Sequence, residues 1–265
     1  LETVTPIAFR VNPDIAVRTN AKIATGLRTS KFGMLPEEVL RAYRAAKKLP
    51  FVSPDGMHCH IGSQILRTGV FREAAKKMMN LAEEISSFAD IRFIDLGGGL
   101  GIPYRKGERA PSPQELADAI LPVYRERCRE IGISPKLILE PGRSIVGNAA
   151  ILLSRVNTVK KAYKNFVGID AGFNLLIRPL LYDAYHDVAV ANKSGKKKKM
   201  KYTLVGPICE SGDIIAKDRY LPPIEKGDLI ALFDVGAYGF SMSSQYNARP
   251  RCAEVLVCGE KAELI

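Results

Sequence analysis

Residues 91–101 read Ile91-Arg92-Phe93-Ile94-Asp95-Leu96-Gly97-Gly98-Gly99-Leu100-Gly101. A short apolar run, Ile91–Leu96, passes directly into a cluster of glycines. The run is too short for a helix and reads as a buried strand. The glycines let the backbone turn tightly and bring its N–H groups close to a ligand such as a phosphate. Taken alone, the same glycines are equally compatible with a plain tight turn.

The segments around this stretch repeat the pattern. Thr5–Val11 reads as a strand that stops at the turn signal Asn12-Pro13-Asp14. Pro36–Lys48 is an amphipathic helix with Pro36 in its first turn. Met57–Ile61 is a short strand, and Phe71–Phe88 places apolar residues at helical spacing. Ser112–Ile131 is a further helix and Lys136–Leu139 a further strand. The order β-α-β-α-β-α-β, with strands apolar on both faces, predicts a parallel sheet with right-handed crossovers. Polar residues and glycines gather where these strands end: His58 to Gln64, Asp95 to Gly101, and Glu140-Pro141-Gly142-Arg143. A (β/α)8 barrel builds its active site on that edge. An open doubly wound sheet binds ligands there too, so position alone does not choose between them.

Beyond about residue 148 the period changes. Asn148–Lys161, Phe166–Gly172, Lys201–Val205, Asp228–Asp234 and Arg251–Cys258 read as strands punctuated by Gly, Pro and Asn. The expected organisation is therefore α/β over residues 1–147 and a mostly antiparallel β domain over 148–265.

Composition narrows the function classes. The 265 residues are 46% hydrophobic and 25% charged, which is ordinary for a globular protein. No apolar run is long enough for a membrane span. The N-terminal residues lack the pattern of a signal peptide. With 39 basic and 28 acidic residues the net charge is +11, a value that invites a nucleic-acid partner. Six lysines (Lys193, Lys196, Lys197, Lys198, Lys199 and Lys201) lie within nine residues, and without them the balance falls to +5. Such a run reads as a solvated loop tip, and no aromatics interleave with it as nucleic-acid modules require. Neither nucleic acid nor membrane is expected as a partner. Five cysteines without a Cys-x-x-Cys argue against a disulfide framework or a zinc knuckle and fit a reducing cytoplasm.

Several residues could carry chemistry. Arg143 can clamp a phosphate or carboxylate through two parallel bonds, and Glu140 can hold a heterocyclic N–H; a structural ion pair is the alternative. His58 and His60, two apart on a strand, share a face. No acidic cluster with ligand spacing accompanies them in the sequence, so no metal site is expected. Cys209-Glu210-Ser211-Gly212-Asp213 is dense in groups that can transfer protons or accept hydrogen bonds. Carboxylates beside Cys209 favour the protonated thiol, which can act as a general acid; a buried inert cysteine is the alternative. Tyr238, in Gly236-Ala237-Tyr238-Gly239-Phe240, can stack or donate.

In combination these motifs resemble the fold-type III, pyridoxal-phosphate-dependent decarboxylases. The matching stretches are Phe9-Arg10-Val11-Asn12-Pro13, Thr25-Gly26-Leu27, Lys31-Phe32-Gly33, His58 to Gln64, Leu96 to Gly101 and Glu140 to Arg143. They continue with Arg178-Pro179-Leu180-Leu181-Tyr182, Gly206 to Asp213, Gly236 to Tyr238 and Ser243 to Asn247, all in one order along nearly the whole chain. The resemblance implies a TIM-type barrel followed by a β domain, with pyridoxal 5'-phosphate as cofactor. It implies that Gly97, Gly98, Gly99 and Ser63 hold the phosphate and that His60 stacks on the pyridine ring. Glu140, followed by Pro141 and Gly142, would pair with the ring nitrogen. Arg143 would lie between phosphate and substrate, and Tyr238 would touch both cofactor and substrate. Arg178, Tyr182 and Glu210 would bind the substrate's distal end, and Cys209 would return a proton to Cα after CO2 leaves.

A zwitterionic distal end needs a cation and an anion, and Arg178 and Glu210 supply one of each. The implied reaction is decarboxylation of meso-2,6-diaminopimelate to L-lysine, in a homodimer whose Cys-Glu segment comes from the second subunit. Alternatives are a related decarboxylase of another basic or acidic amino acid, or a non-catalytic relative that binds partners. The family's cofactor-bearing lysine sits in a motif like Tyr-Ala-x-Lys on an early barrel strand, and nothing here matches it. Lys31 stands in a different context and is not a substitute. The strand Thr5–Val11 resembles the fifth of the barrel, so the sequence reads as part of a longer enzyme carrying about the second half of that barrel.

Overall fold

The computed structural model describes residues 3–17, 19–26 and 30–265. Leu27, the last residue of the Thr25-Gly26-Leu27 motif, lies outside the described residues. The chain divides into two compact units. The first holds residues up to Pro103 together with Gly107–Ile145; the second holds Tyr104–Lys106 and Val146–Ile265.

The first unit is a four-stranded sheet, β1 (Thr5–Val11), β2 (Val52–Cys59), β3 (Phe93–Asp95) and β4 (Lys136–Ile138), in chain order and parallel throughout. Helices α1 (Pro36–Ala46), α2 (Gly69–Ser86) and α3 (Pro113–Ile131) make the crossovers. Helix α2 buries Phe71, Ala74, Ala75, Met78, Ala82 and Ile85, the 3.6-residue stripe legible in the sequence. At the start of α3 the Ser112 hydroxyl accepts from Glu115 N–H at 3.1 Å, and the Glu115 carboxylate accepts from Ser112 N–H at 2.8 Å. This reciprocal box fixes the first turn, and Gly132, at φ +79°, ends the helix. Met57, Ile94, Met78, Ile85 and Ile120 are among the residues at the centre of the core.

Strand β2 begins five residues earlier and ends two earlier than the predicted Met57–Ile61. Ser53-Pro54-Asp55-Gly56 does not look like a strand, yet it pairs with β1 through an irregularity at Ile7/Ala8. Gly56 serves packing: a Cβ there would lie 2.0 Å from the Phe93 ring. His60 falls just past the strand end.

Helix α4 (Arg143–Val146) ends the first unit, and only its last residue, Val146, belongs to the second unit. The second unit contains β5 (Leu152–Lys161), β6 (Asn165–Ile169), α5 (Arg178–Tyr182), β7 (Val188–Val190), β8 (Met200–Val205), β9 (Ile214–Leu221) and β10 (Leu229–Leu232). The six strands order as β7-β10-β5-β6-β8-β9, antiparallel except for β6 with β8. Strands β11 (Val255–Cys258) and β12 (Lys261–Leu264) form a separate hairpin. Val167, Ile169, Leu204, Ile230 and Leu232 belong to the core of this unit. The fold class is thus an α/β unit with a parallel sheet, followed by a mostly antiparallel β unit.

The lysine run is not uniform. Lys196–Lys199 are exposed, but Lys193 ion-pairs with buried Asp228 at 2.7 Å. No helix among the described residues is long and apolar enough to cross a membrane. All five cysteines are free thiols.

Candidate active site

Parallel strands with crossovers bring residues distant in sequence to one edge. In the first unit that edge carries His58 and His60 from the end of β2, Asp95 and the glycines after β3, and Glu140 after β4. His58 Nε2 lies 3.5 Å from a Glu140 carboxylate oxygen. Ligand atoms of His58, Asp95 and Glu140 all fall within 4.8 Å of one another. Sequence spacing shows no acidic cluster beside the two histidines, but the fold brings Asp95 of β3 and Glu140, just after β4, to His58, though not to His60.

The glycine loop is held from within. Gly97 N–H donates to Asp95 Oδ1 at 2.8 Å, and Gly98 N–H donates to His60 Nδ1 at 3.1 Å. Gly99 is the one glycine of the three whose amide is outside these two bonds. Gly97 and Gly99 adopt φ of +70° and +110°, and a Cβ on Gly98 would lie 2.1 Å from the Glu140 carbonyl oxygen. Close backbone approach is thus the reason for glycine here. A backbone N–H can only donate, so Nδ1 of His60 accepts and the proton sits on Nε2. Burial, followed by the charge of Arg10, pushes the His60 imidazole below its ordinary pKa, so the ring is neutral at pH 7. Arg143 is buried and its Nη2 donates to the Ser63 hydroxyl at 3.0 Å, which unites two residues 80 apart. The segment containing Thr25 and Gly26 lies against the same loop: Thr25 Oγ1 donates to the His60 carbonyl at 2.7 Å and Gly26 N–H to Ile61 O. Cys59, wholly buried, is an inert thiol pushed up to about 12 by burial and by Asp95.

In the second unit, α5 presents Arg178 and Tyr182. Arg178 is 5% exposed, and its Nη1 lies 2.8 Å from His186 Nε2. Cys209 is exposed, and Asn247 Nδ2 donates to its sulfur at 3.4 Å. Glu210 accepts from the Tyr246 hydroxyl. Asp213 is instead a brace for this loop. Its two carboxylate oxygens accept from Phe173 N–H at 2.7 Å and Ile208 N–H at 2.8 Å. Burial raises its pKa despite those donors. Tyr238 sits at φ +59° and is 43% exposed. The sequence singled out neither Tyr246 nor Asn247 as site residues, although both lie in a matching stretch. Their partners are 36 and 38 residues away, and only the fold shows the pairing.

The first unit thus holds a glycine turn packed against the Glu140 backbone and a buried arginine on a serine, and the second unit holds an exposed thiol next in sequence to Glu210. Residues 55–236 match the family described as pyridoxal-dependent decarboxylase, C-terminal sheet domain, and the chain belongs to that family. It is 59% identical over 260 residues to the diaminopimelate decarboxylase of Archaeoglobus fulgidus, covering 98% of this chain and 62% of the relative. Against the enzyme of that name from Aquifex aeolicus the identity is 46% over 261 residues, covering 98% and 60%. Among solved structures, diaminopimelate decarboxylase from Helicobacter pylori complexed with L-lysine matches with a TM-score of 0.90 and 40% identity. That match covers 99% of this chain and 64% of the other. The chain therefore spans about 60% of the length of the curated relatives it matches.

Proposed function

We propose that the full-length protein is a carboxy-lyase that converts meso-2,6-diaminopimelate to L-lysine and CO2 with pyridoxal 5'-phosphate. The observation that carries the substrate choice is that the two opposite charges needed for a zwitterionic distal end are both held by protein partners. Arg178 is fixed by His186 and Glu210 by Tyr246. A bare-amine substrate would offer the Arg178 guanidinium no carboxylate to bind. The names of the most similar relatives support the same substrate.

The residues of the first unit fit the cofactor. The glycine turn approaches too closely for a Cβ, and Ser63 with Arg143 offers a hydroxyl and a cation to a phosphate. Gly97, Gly98, Gly99 and Ser63 are assigned to that phosphate, neutral His60 to the ring face, and Glu140 to the ring nitrogen. Pro141 and Gly142 carry the chain from Glu140 to Arg143. When bound, the cofactor supplies the electron sink for the pair left by departing CO2. Glu140 keeps the proton on the ring nitrogen. Cys209 donates a proton to the substrate Cα, with Asn247 orienting its sulfur. Arg143 and Tyr238 contact substrate, and Tyr182 lies with Arg178 at its distal end.

We further infer that residues 1–147 are the second half of a (β/α)8 barrel, that residues 148–265 form the β domain, and that the enzyme is a homodimer in which Cys209 and Glu210 serve the partner subunit's site. Its unpaired thiols, Cys209 among them, suit a reducing cytoplasm. The test is a substrate panel on the full-length protein loaded with cofactor. L-lysine and CO2 from meso-diaminopimelate, well ahead of products from ornithine, arginine or lysine, is the expected result. Preference for any of those three would overturn the assignment.

A further inference from the structure

We infer that His186 is a positioning residue that fixes the Arg178 guanidinium and so sets recognition of the substrate's distal carboxylate; this rests on the assignment of Arg178 made above. His186 is the third histidine of the chain, outside the matching motifs, and neither cofactor nor proton transfer uses it. It is fully buried, and Arg178 is 5% exposed. Its ring makes two contacts of 2.8 Å, Nδ1 to the Phe233 carbonyl oxygen and Nε2 to Arg178 Nη1.

Those partners dictate the state of the ring. A carbonyl oxygen only accepts, so Nδ1 carries the proton. A guanidinium only donates, so Nε2 presents its lone pair. The other tautomer would set two donors face to face at Arg178 and a lone pair against the Phe233 carbonyl. The imidazolium would set a second positive charge against the guanidinium. Only the neutral ring with its proton on Nδ1 satisfies both sides.

The guanidinium is also fixed from a second direction. Its central carbon lies 4.6 Å from the centroid of the Tyr104 ring, and Tyr104 meets the His186 ring edge-on at 5.5 Å and 79°. Tyr104 therefore supports both members of the pair. The backbone of His186 is held in turn, since Arg219 Nη2 donates to its carbonyl at 3.2 Å. A long side chain with many rotamers is thereby held in one orientation, from the His186 side and from the Tyr104 face.

L-lysine and cadaverine differ by one carboxylate, so the ratio of their dissociation constants reads this recognition without turnover. The measurement is calorimetric titration of both into the full-length holoenzyme. Two variants remove the acceptor facing Arg178: His186→Asn, which can still donate to Phe233 O, and His186→Leu. Either one that keeps wild-type cofactor absorbance carries the test. L-lysine binding should weaken roughly tenfold to a hundredfold while cadaverine binding stays within about twofold. His186→Gln, which returns an amide oxygen to the position of Nε2, should restore L-lysine binding to within about threefold of wild type. Parallel weakening of both ligands, unchanged L-lysine binding, or a Gln variant no better than Asn would each overturn the inference. Arg178→Met separates the two levels. If it leaves the preference for L-lysine intact, the assignment of Arg178 falls and this inference with it. If it abolishes the preference while His186→Asn does not, only the positioning role falls.

Discussion

At Gly98 one added carbon atom would lie 2.1 Å from the Glu140 carbonyl oxygen, so a side chain there must push strand ends apart. It would also move the amide that donates to His60 Nδ1, and with it the neutral ring assigned to the cofactor face. Gly98→Ala should therefore weaken pyridoxal phosphate binding by roughly tenfold or more, read by absorbance titration. Binding within about twofold of wild type would show that the turn is merely structural. Cys209 differs because its assigned role is proton transfer and not cofactor binding. Cys209→Ala should slow turnover by about 10²- to 10⁴-fold and leave cofactor affinity in place. Full turnover in that variant would remove Cys209 as the acid. The sequence singles out both residues because the patterns that mark them are local: glycines after a strand, a thiol beside a carboxylate. For Asp213 the sequence leaves proton transfer and hydrogen-bond acceptance both open. Only its burial and its two backbone donors reveal a brace.

Among the elements, α1, α2, α3 and most strands followed from their apolar period, the short α4 and α5 did not, and β1 fell on its predicted bounds. The strands that escaped prediction, β7, β9 and β12, are short or charged, and pairing partners rather than pattern define them. The lysine run shows the same limit. Lys193 looks like one of six solvated cations, but it closes the segment between β7 and β10. Asp228 there accepts from Lys193 Nζ at 2.7 Å, Glu225 N–H at 2.7 Å and Asn192 Nδ2 at 2.9 Å. Burial alone would raise the Asp228 carboxyl, but Lys193 and the other donors outweigh it and hold the pKa below its ordinary value. A depressed carboxyl adds stability above the unfolded-state pKa and loses it as pH falls through the folded value. Asp228→Asn should thus lower stability by about 1–3 kcal/mol near neutral pH, with the gap to wild type closing below about pH 4. Urea denaturation at a series of pH values measures both. A gap that widens on acidification would contradict the ion-pair account.

For the whole molecule, length and composition suggested a self-contained protein, and the ordered motifs suggested part of a larger one. The relatives, of which the chain spans about 60%, agree with the motifs. Strand order in the second unit was not legible at all, because the parallel pairing of β6 with β8 depends on contacts across more than thirty intervening residues. The proposed subunit arrangement has its own experiment. If Cys209 serves the partner subunit's site, the glycine cradle and the acid of any one site come from different protomers. Consider the full-length enzyme co-expressed as two inactive forms, Gly98→Val and Cys209→Ala. In a mixed dimer one site then carries both lesions and the other carries neither. Random pairing makes half the dimers mixed, so activity should return to about a quarter of wild type. If cradle and acid came from the same protomer, every site would carry one lesion and mixing would restore nothing. Recovery near a quarter, scaling with the fraction of mixed dimers isolated by dual tags, supports the shared site, and a mixture as inactive as its parents refutes it.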